Sequence, residues 1–119
     1  MKPNRDLVYI NAHVEIRAGQ EAKKIGNIGK ARVCARRGCG FAIDHWLKYH
    51  PEKNWGESAI SWLTQLQQDQ TIPLNIREAA ERLTKKVDQN FKAGVEEDPL
   101  EDGETIIEYF LDRNTLKEM

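Results

Sequence analysis

The sequence predicts an all-α protein: a four- to five-helix up-and-down bundle with a long central helix rich in small residues. Three observations lead to this fold class. Small residues recur every seven positions from residue 12 onward, apolar residues recur at helical spacing in later stretches, and Pro or Gly separates those stretches. At 119 residues the chain is long enough for one core, so we expect a single helical domain over 1–119.

The first long element is predicted to be a helix over 12–49, which Pro51 ends, with a possible break near residues 26–29. Before it, residues 7–10 form a short apolar run that fits either a strand-like arm or the first turn of a helix. Small residues along one line of a helix let another backbone approach closely. The four glycines expected to form this dimer or helix-packing seam are Gly19, Gly26, Gly29 and Gly40.

Three further elements follow. A cap at Asn54 predicts a second helix to about residue 68, and Pro73 predicts the start of a third helix that ends near 93–94. Residues 93–104 are expected to be an acidic connector, followed by a short closing helix over 105–111, with a strand as the alternative. Of the tryptophans, Trp46 and Trp62 are expected in the core and Trp55 at the surface.

The formal net charge of -1 gives no overall attraction to nucleic acid or to an anionic membrane. Because no apolar run approaches the roughly 20 residues that span a bilayer and no secretory signal is recognisable, we expect a cytoplasmic protein with no membrane partner. Two cysteines do not make a disulfide framework. No cofactor-binding motif is found, so no cofactor is predicted.

Basic residues are concentrated in one stretch that contains no acidic residue between Glu21 and Asp44. Two interpretations are open. The basic side chains bind phosphate groups of a nucleotide or nucleic acid, or they pair with the acidic residues between 96 and 108, within one chain or across a dimer. The residues predicted to bind phosphate are Lys23, Lys30, Arg32, Arg36 and Arg37.

Zinc binding by Cys34, Cys39, His45 and His50 is an alternative that helix geometry disfavours. On a continuous helix the two cysteines point about 140° apart, and Cys34 and His45 are roughly 16 Å apart along the axis. No metal site is therefore predicted. Cys34 is also a candidate nucleophile, because Lys30 lies one turn before it, but no histidine lies one turn away to act as its base.

Residues 29–43, 72–83 and 98–111 resemble small bacterial and archaeal helical proteins similar to the HEPN (higher eukaryotes and prokaryotes nucleotide-binding) domains. The matching features are the small-residue-rich helix, the helix led by Pro73 and the closing helix after Asp98-Pro99. The resemblance implies a dimerising helical bundle that associates with nucleotides or RNA, often within toxin–antitoxin systems. Ribonuclease members carry a more closely spaced arginine and histidine; here seven residues separate Arg37 from His45, so catalytic residues are not carried over.

The sequence thus predicts a non-catalytic helical-bundle module, a homodimer, that binds nucleotide, RNA or a protein partner. The alternative is an enzyme, either with a degenerate ribonuclease-like activity that uses Arg36, Arg37 and His45 or with thiol chemistry at Cys34. The lack of any complete pairing of nucleophile and base in the sequence favours the first hypothesis.

Overall fold

The structure, a computed structural model, describes residues 5–85 and 98–111. All of the regular elements in these ranges are helices, so the prediction of an all-α bundle is confirmed. None of these helices is long and apolar enough to cross a membrane. The five helices are α1 (Arg5–Lys24), α2 (Ile28–Leu47), α3 (Ala59–Gln68), α4 (Leu74–Thr84) and α5 (Pro99–Phe110).

The predicted helix over 12–49 consists of two helices of 20 residues each, α1 and α2, which fold back on one another; the break expected near residues 26–29 is where they separate. The chain turns at Gly26, whose φ of 82° lies in the left-handed region that favours glycine. Asn27 then caps α2, because its side chain accepts a hydrogen bond from the backbone N–H of Lys30. Residues 7–10 belong to α1, which resolves the choice between arm and helix.

The glycines do not form one seam, because the turn places them in different surroundings. Gly19 lies against Leu100 and Cys34, and Gly40 lies against Ala59 of α3. Gly26 lies in the turn, where a Cβ would meet nothing within 4 Å, and Gly29 is exposed at the start of α2. Close approach of two backbones occurs at Gly38, and also at Gly19, where a Cβ would lie 3.4 Å from the backbone oxygen of Ala31 of α2.

α2 is the central helix, since it contacts all four of the others. Its face toward α1 and α5 carries small residues, and a Cβ at Gly38 would lie 3.1 Å from the backbone oxygen of Ala12 and 3.2 Å from Ile107. Gly103 of α5 similarly lies against Ala35 and Ile16. Three helices therefore pack with little side-chain volume between them, while larger residues fill the space toward α3 and α4, among them Ile43, Leu63, Leu66 and Leu83.

The start of α3 and the position of Trp55 differ from the predictions. α3 begins at Ala59 rather than near Asn54, because Ser58 and Ser61 form a capping box. Trp55 is only 6% exposed and packs against Trp46 with 5.2 Å between ring centroids, so the expectation of a surface residue is wrong. The indole N–H of Trp62 donates to the backbone oxygen of Gly56, which holds the preceding loop on the bundle.

α4 and α5 also have different bounds from those predicted. α4 ends at Thr84, because the backbone of Lys85 is extended, whereas the sequence placed its end near 93–94. α5 begins at Pro99, within the segment expected to be a connector, and Asp98 caps it by accepting from the N–H of Leu100. Residues 86–97 lie outside the described ranges. The predicted closing helix is thus a helix, and it begins earlier.

Leucine at Gly38 and at Gly29 should have opposite consequences. Gly38→Leu places a side chain where a Cβ alone is already tight, so we expect a loss of about 3 kcal/mol or more in the free energy of unfolding. Gly29→Leu, on an exposed turn of the same helix, should change it by less than about 1 kcal/mol. Urea denaturation followed by circular dichroism measures both. Equal effects would contradict close backbone packing at Gly38.

Asp69 links the segment before α3 to the segment after it, and its ionisation should make the stability of the protein depend on pH in the acid range. Its carboxylate accepts hydrogen bonds from Lys53 and from the N–H and hydroxyl of Thr71. Burial alone would raise the pKa of Asp69, but these hydrogen bonds outweigh it and lower the pKa to about 2.

A lowered folded-state pKa means that Asp69 stabilises the protein above about pH 4, and that this contribution disappears as the pH falls toward 2. Asp69→Asn should therefore cost about 1–2 kcal/mol at pH 7 and almost nothing near pH 2. The measurement is chemical denaturation of both proteins across this range. A constant difference between them would contradict the assignment.

Candidate anion-binding site

Two arginines of α2 converge on the C-terminal end of α4. Arg32 donates from Nη1 to the backbone oxygen of Arg82 at 2.6 Å, and Arg36 donates from Nη1 to that of Leu83 at 3.1 Å. The last carbonyls of a helix lack partners within the helix and carry its partial negative charge. The two guanidinium groups, one helical turn apart on α2, therefore cap α4 from outside.

A third guanidinium group completes the cluster. Arg82 donates from Nε and Nη2 to the two carboxylate oxygens of Asp102 at 3.0 and 2.9 Å, a two-pronged pair between α4 and α5. The Asp102 side chain is 12% exposed and that of Arg82 is 36% exposed. We call the four residues Arg32, Arg36, Arg82 and Asp102 the arginine cluster.

The arginine cluster holds more positive charge than its described partners neutralise. Arg82 pairs with a carboxylate, whereas the described partners of the Arg32 and Arg36 side chains are backbone oxygens at the end of α4, which carries about half of a negative charge. Burial, and then the neighbouring charge of Arg32, lower the pKa of Arg36. Arg32 is 6% exposed, and its buried Nε finds no hydrogen-bond partner among the described residues. An anion beside the half-buried Arg36 would offset the repulsion between the two guanidinium groups.

The other basic residues predicted to bind phosphate lie elsewhere. Lys23, at the end of α1, pairs with Asp98 at 3.0 Å beside a pocket that Glu101 and Glu104 also line. Arg37 is exposed on a different face of α2 and lies 3.7 Å from Glu15 of α1. Lys30 is exposed in the first turn of α2. Of the five predicted residues, the structure thus brings together Arg32 and Arg36.

The alternative interpretation, pairing of basic residues with the acidic residues between 96 and 108, applies to Lys23. The other described contacts of that stretch use partners that the sequence did not indicate. Glu108 accepts from the hydroxyl of Tyr9 at 2.8 Å and lies 3.8 Å from His13, and Asp102 binds Arg82. Acidic residues 96 and 97 lie outside the described ranges.

The residues named for ribonuclease-like chemistry do not meet. Arg36 binds the end of α4 and Arg37 lies near Glu15, whereas His45 is 5% exposed further along α2. Burial, followed by the charges of Lys48 and Arg5, lowers the pKa of His45, with Asp44 acting in the opposite direction. His45 is therefore a buried, neutral imidazole at neutral pH, with no access to a phosphate beside Arg36.

Both cysteines are free and buried. Cys34 is 3% exposed beside Gly19, so a substrate reaches its thiol only if α1 and α2 separate. Cys39 donates from Sγ to the backbone oxygen of Gly103, and burial followed by the charge of Asp102 raises its pKa. Within residues 5–85 and 98–111, no three His, Cys, Asp or Glu side chains lie close enough together to hold a metal ion.

Sequence analysis missed Arg82 and Asp102. The signal was present for Asp102, which lies one turn before Ile106 and on the apolar side of α5, where a carboxylate needs a buried partner. Nothing in the sequence pairs it with Arg82, because that pairing depends on how α4 and α5 pack.

Comparisons of the chain with protein-family models, with curated proteins and with solved structures gave no match. Statements about function therefore depend on the geometry and chemistry of these residues.

Removal of the cluster's carboxylate should destabilise the protein. Asp102→Ala removes the carboxylate that binds Arg82 through two hydrogen bonds between α4 and α5, so we expect a loss of about 2–3 kcal/mol in the free energy of unfolding at low salt. Glu101→Ala, which removes an exposed carboxylate from the next position, should cost less than about 0.5 kcal/mol. Added phosphate should restore part of the loss in Asp102→Ala. Similar losses in both variants would argue against a charge-dependent role.

Proposed function

We propose that this protein is a non-catalytic helical module that binds a nucleotide through one phosphate group at the arginine cluster. The proposal includes the homodimer and the cytoplasmic location expected from the sequence; the two free thiols suit a reducing compartment. A nucleotide is proposed, and not phosphate alone, because of the resemblance to nucleotide-binding helical domains. The same resemblance is the reason for proposing that the protein belongs to a toxin–antitoxin system.

One observation carries the proposal. Arg32 is buried and Arg36 is half buried, and the two lie one helical turn apart on α2. Each side chain donates to one backbone carbonyl, and neither has a carboxylate partner among the described residues. A guanidinium group has five N–H donors in a planar fork, which suits a phosphate better than a single carbonyl. Partial burial also strengthens attraction to an anion, because fewer water molecules screen the charges.

The distribution of charge favours a single phosphate over a nucleic-acid strand. A strand needs a row of cations along its backbone. Here Lys23 is paired beside three carboxylates, and Arg37 lies on a different face of α2 from Arg36. The groove between α4 and α5 is lined by Glu101, Glu104 and Glu108, which would repel a strand that continued past the cluster.

Isothermal titration calorimetry with inorganic phosphate and with adenosine monophosphate tests the proposal. Arg36→Gln should weaken binding about tenfold or more, because a charged hydrogen bond contributes roughly 1.5–3 kcal/mol. The glutamine amide can still donate to the Leu83 oxygen, so the melting temperature should change little. Affinity of the natural protein should fall with salt by a shallow slope, typical of one or two neutralised charges.

Arg37→Gln is the matched control, since it makes the same change in charge at the next residue and leaves the cluster intact. It should bind phosphate and adenosine monophosphate as the natural protein does. Equal weakening in the two variants, or no binding of either ligand at millimolar concentration, would contradict the site. If a 12-nucleotide single-stranded RNA bound more tightly than adenosine monophosphate and with a steep salt dependence, the ligand would be a nucleic-acid strand and not a single nucleotide.

A further inference from the structure

α1 presents a row of large apolar side chains to solvent. Leu7, Ile10 and Val14 are 57%, 57% and 56% exposed. At 100° per residue they fall within about 60° of one another on the helix, at the spacing of three and four residues that places apolar contacts along a helix pair. We call these three residues the α1 row. The buried face of α1, which includes Ala12, Ile16 and Gly19, points toward α2 and α5 instead.

The α1 row exposes roughly 300 Å² of apolar surface, the size of patch that marks an interaction site on a small protein. Phe41 of α2 is 41% exposed as well. It lies on another side of the hairpin, because Glu15, which Arg37 reaches one turn before Phe41, is about 140° around α1 from Ile10.

We propose that the α1 row is the surface through which two copies of this chain associate, with their α1 helices packed antiparallel across a two-fold axis near Ile10. In this register Leu7 packs against Val14 of the second copy, and the two Ile10 side chains meet. The proposal deepens the homodimer in the proposed function and does not depend on the ligand.

The charges on α1 favour a second copy of this chain as the partner of the α1 row, and they favour an antiparallel arrangement of the two helices. Arg17 and Asp6 lie on the same flank of α1, about 20° apart. In the antiparallel pair each Arg17 comes within about 3 Å, along the axis, of Asp6 of the other copy, which is within reach of a long side chain. A parallel pair would instead place Glu21, which lies on the line of the α1 row, against Glu21 of the other copy, and like charges repel.

The area of the patch sets the expected strength. A stable dimer buries about 800 Å² on each partner. The α1 row supplies roughly a third of this, and the flanking polar residues supply the remainder. We therefore expect a reversible dimer with a dissociation constant of about 10–100 μM. The glycines at 19 and 40 do not contribute, since both are buried within one chain.

Sedimentation equilibrium between about 1 and 500 μM tests the proposal. The natural protein should change from monomer to dimer over this range, and Ile10→Glu should remain a monomer. Leu74→Glu is the matched control, because Leu74 is 58% exposed on α4, away from α1, and the chemical change is the same. It should dimerise as the natural protein does, and circular dichroism should show the same melting temperature for all three.

The register is tested by cross-linking. Both cysteines of the chain are buried, so Ile10→Cys should form a disulfide across the two-fold axis, whereas Leu74→Cys should not. A protein that stays monomeric at 500 μM, or an Ile10→Glu variant that dimerises normally, would overturn the proposal. So would a monomer whose α1 row binds vesicles of anionic lipid, since the occupant would then be a membrane surface.

Discussion

The close approach of α2 to α1 and α5 is the constraint on which the rest of this structure depends. Gly38 lies against the backbone of Ala12 and the tip of Ile107, and Gly103 lies against Ala35 and the tip of Ile16, so the glycines let α2 approach both neighbours closely. Tight packing of small residues fixes both the distance and the rotation of the helices, because interiors tolerate few voids and few overlaps. It therefore also fixes which residues of α2 point toward α4.

The arginine cluster follows from that rotation. With the small face of α2 turned toward α1 and α5, Arg32 and Arg36 are turned toward the end of α4, where carbonyls of its last turn accept their hydrogen bonds. The same packing brings Asp102 of α5 to Arg82 of α4. A structural role and a ligand-binding role are compatible here, since capping occupies one N–H of each arginine on α2, and a guanidinium group has five.

The arginine cluster lies where α2 meets α4, whereas the α1 row lies on the face of α1 that points away from α2, and the two depend on different interactions. The first depends on charge that is partly buried, so its contribution weakens with salt. The second depends on apolar surface, which salt screens little. Ligand binding and association can therefore be separated experimentally, and neither requires the other in order to occur.

The sequence by itself determined the fold class, the helical nature of most segments and the stretch of the chain in which basic residues are concentrated. These follow from local patterns: the apolar stripes, Pro73 at a helix start, and the glycines near residue 26. The sequence also singled out Arg32 and Arg36, but among three other basic residues that resemble them locally.

Only the tertiary structure decided the rest. A seven-residue recurrence looks the same along one straight helix as along two helices joined by a turn, so the sequence could not place Gly19 and Gly40 in different contacts. Trp55 is buried because Trp46 lies beside it, and Arg82 meets Asp102 because α4 packs on α5. Each of these pairings joins residues far apart in the chain, and local propensity carries no information about them.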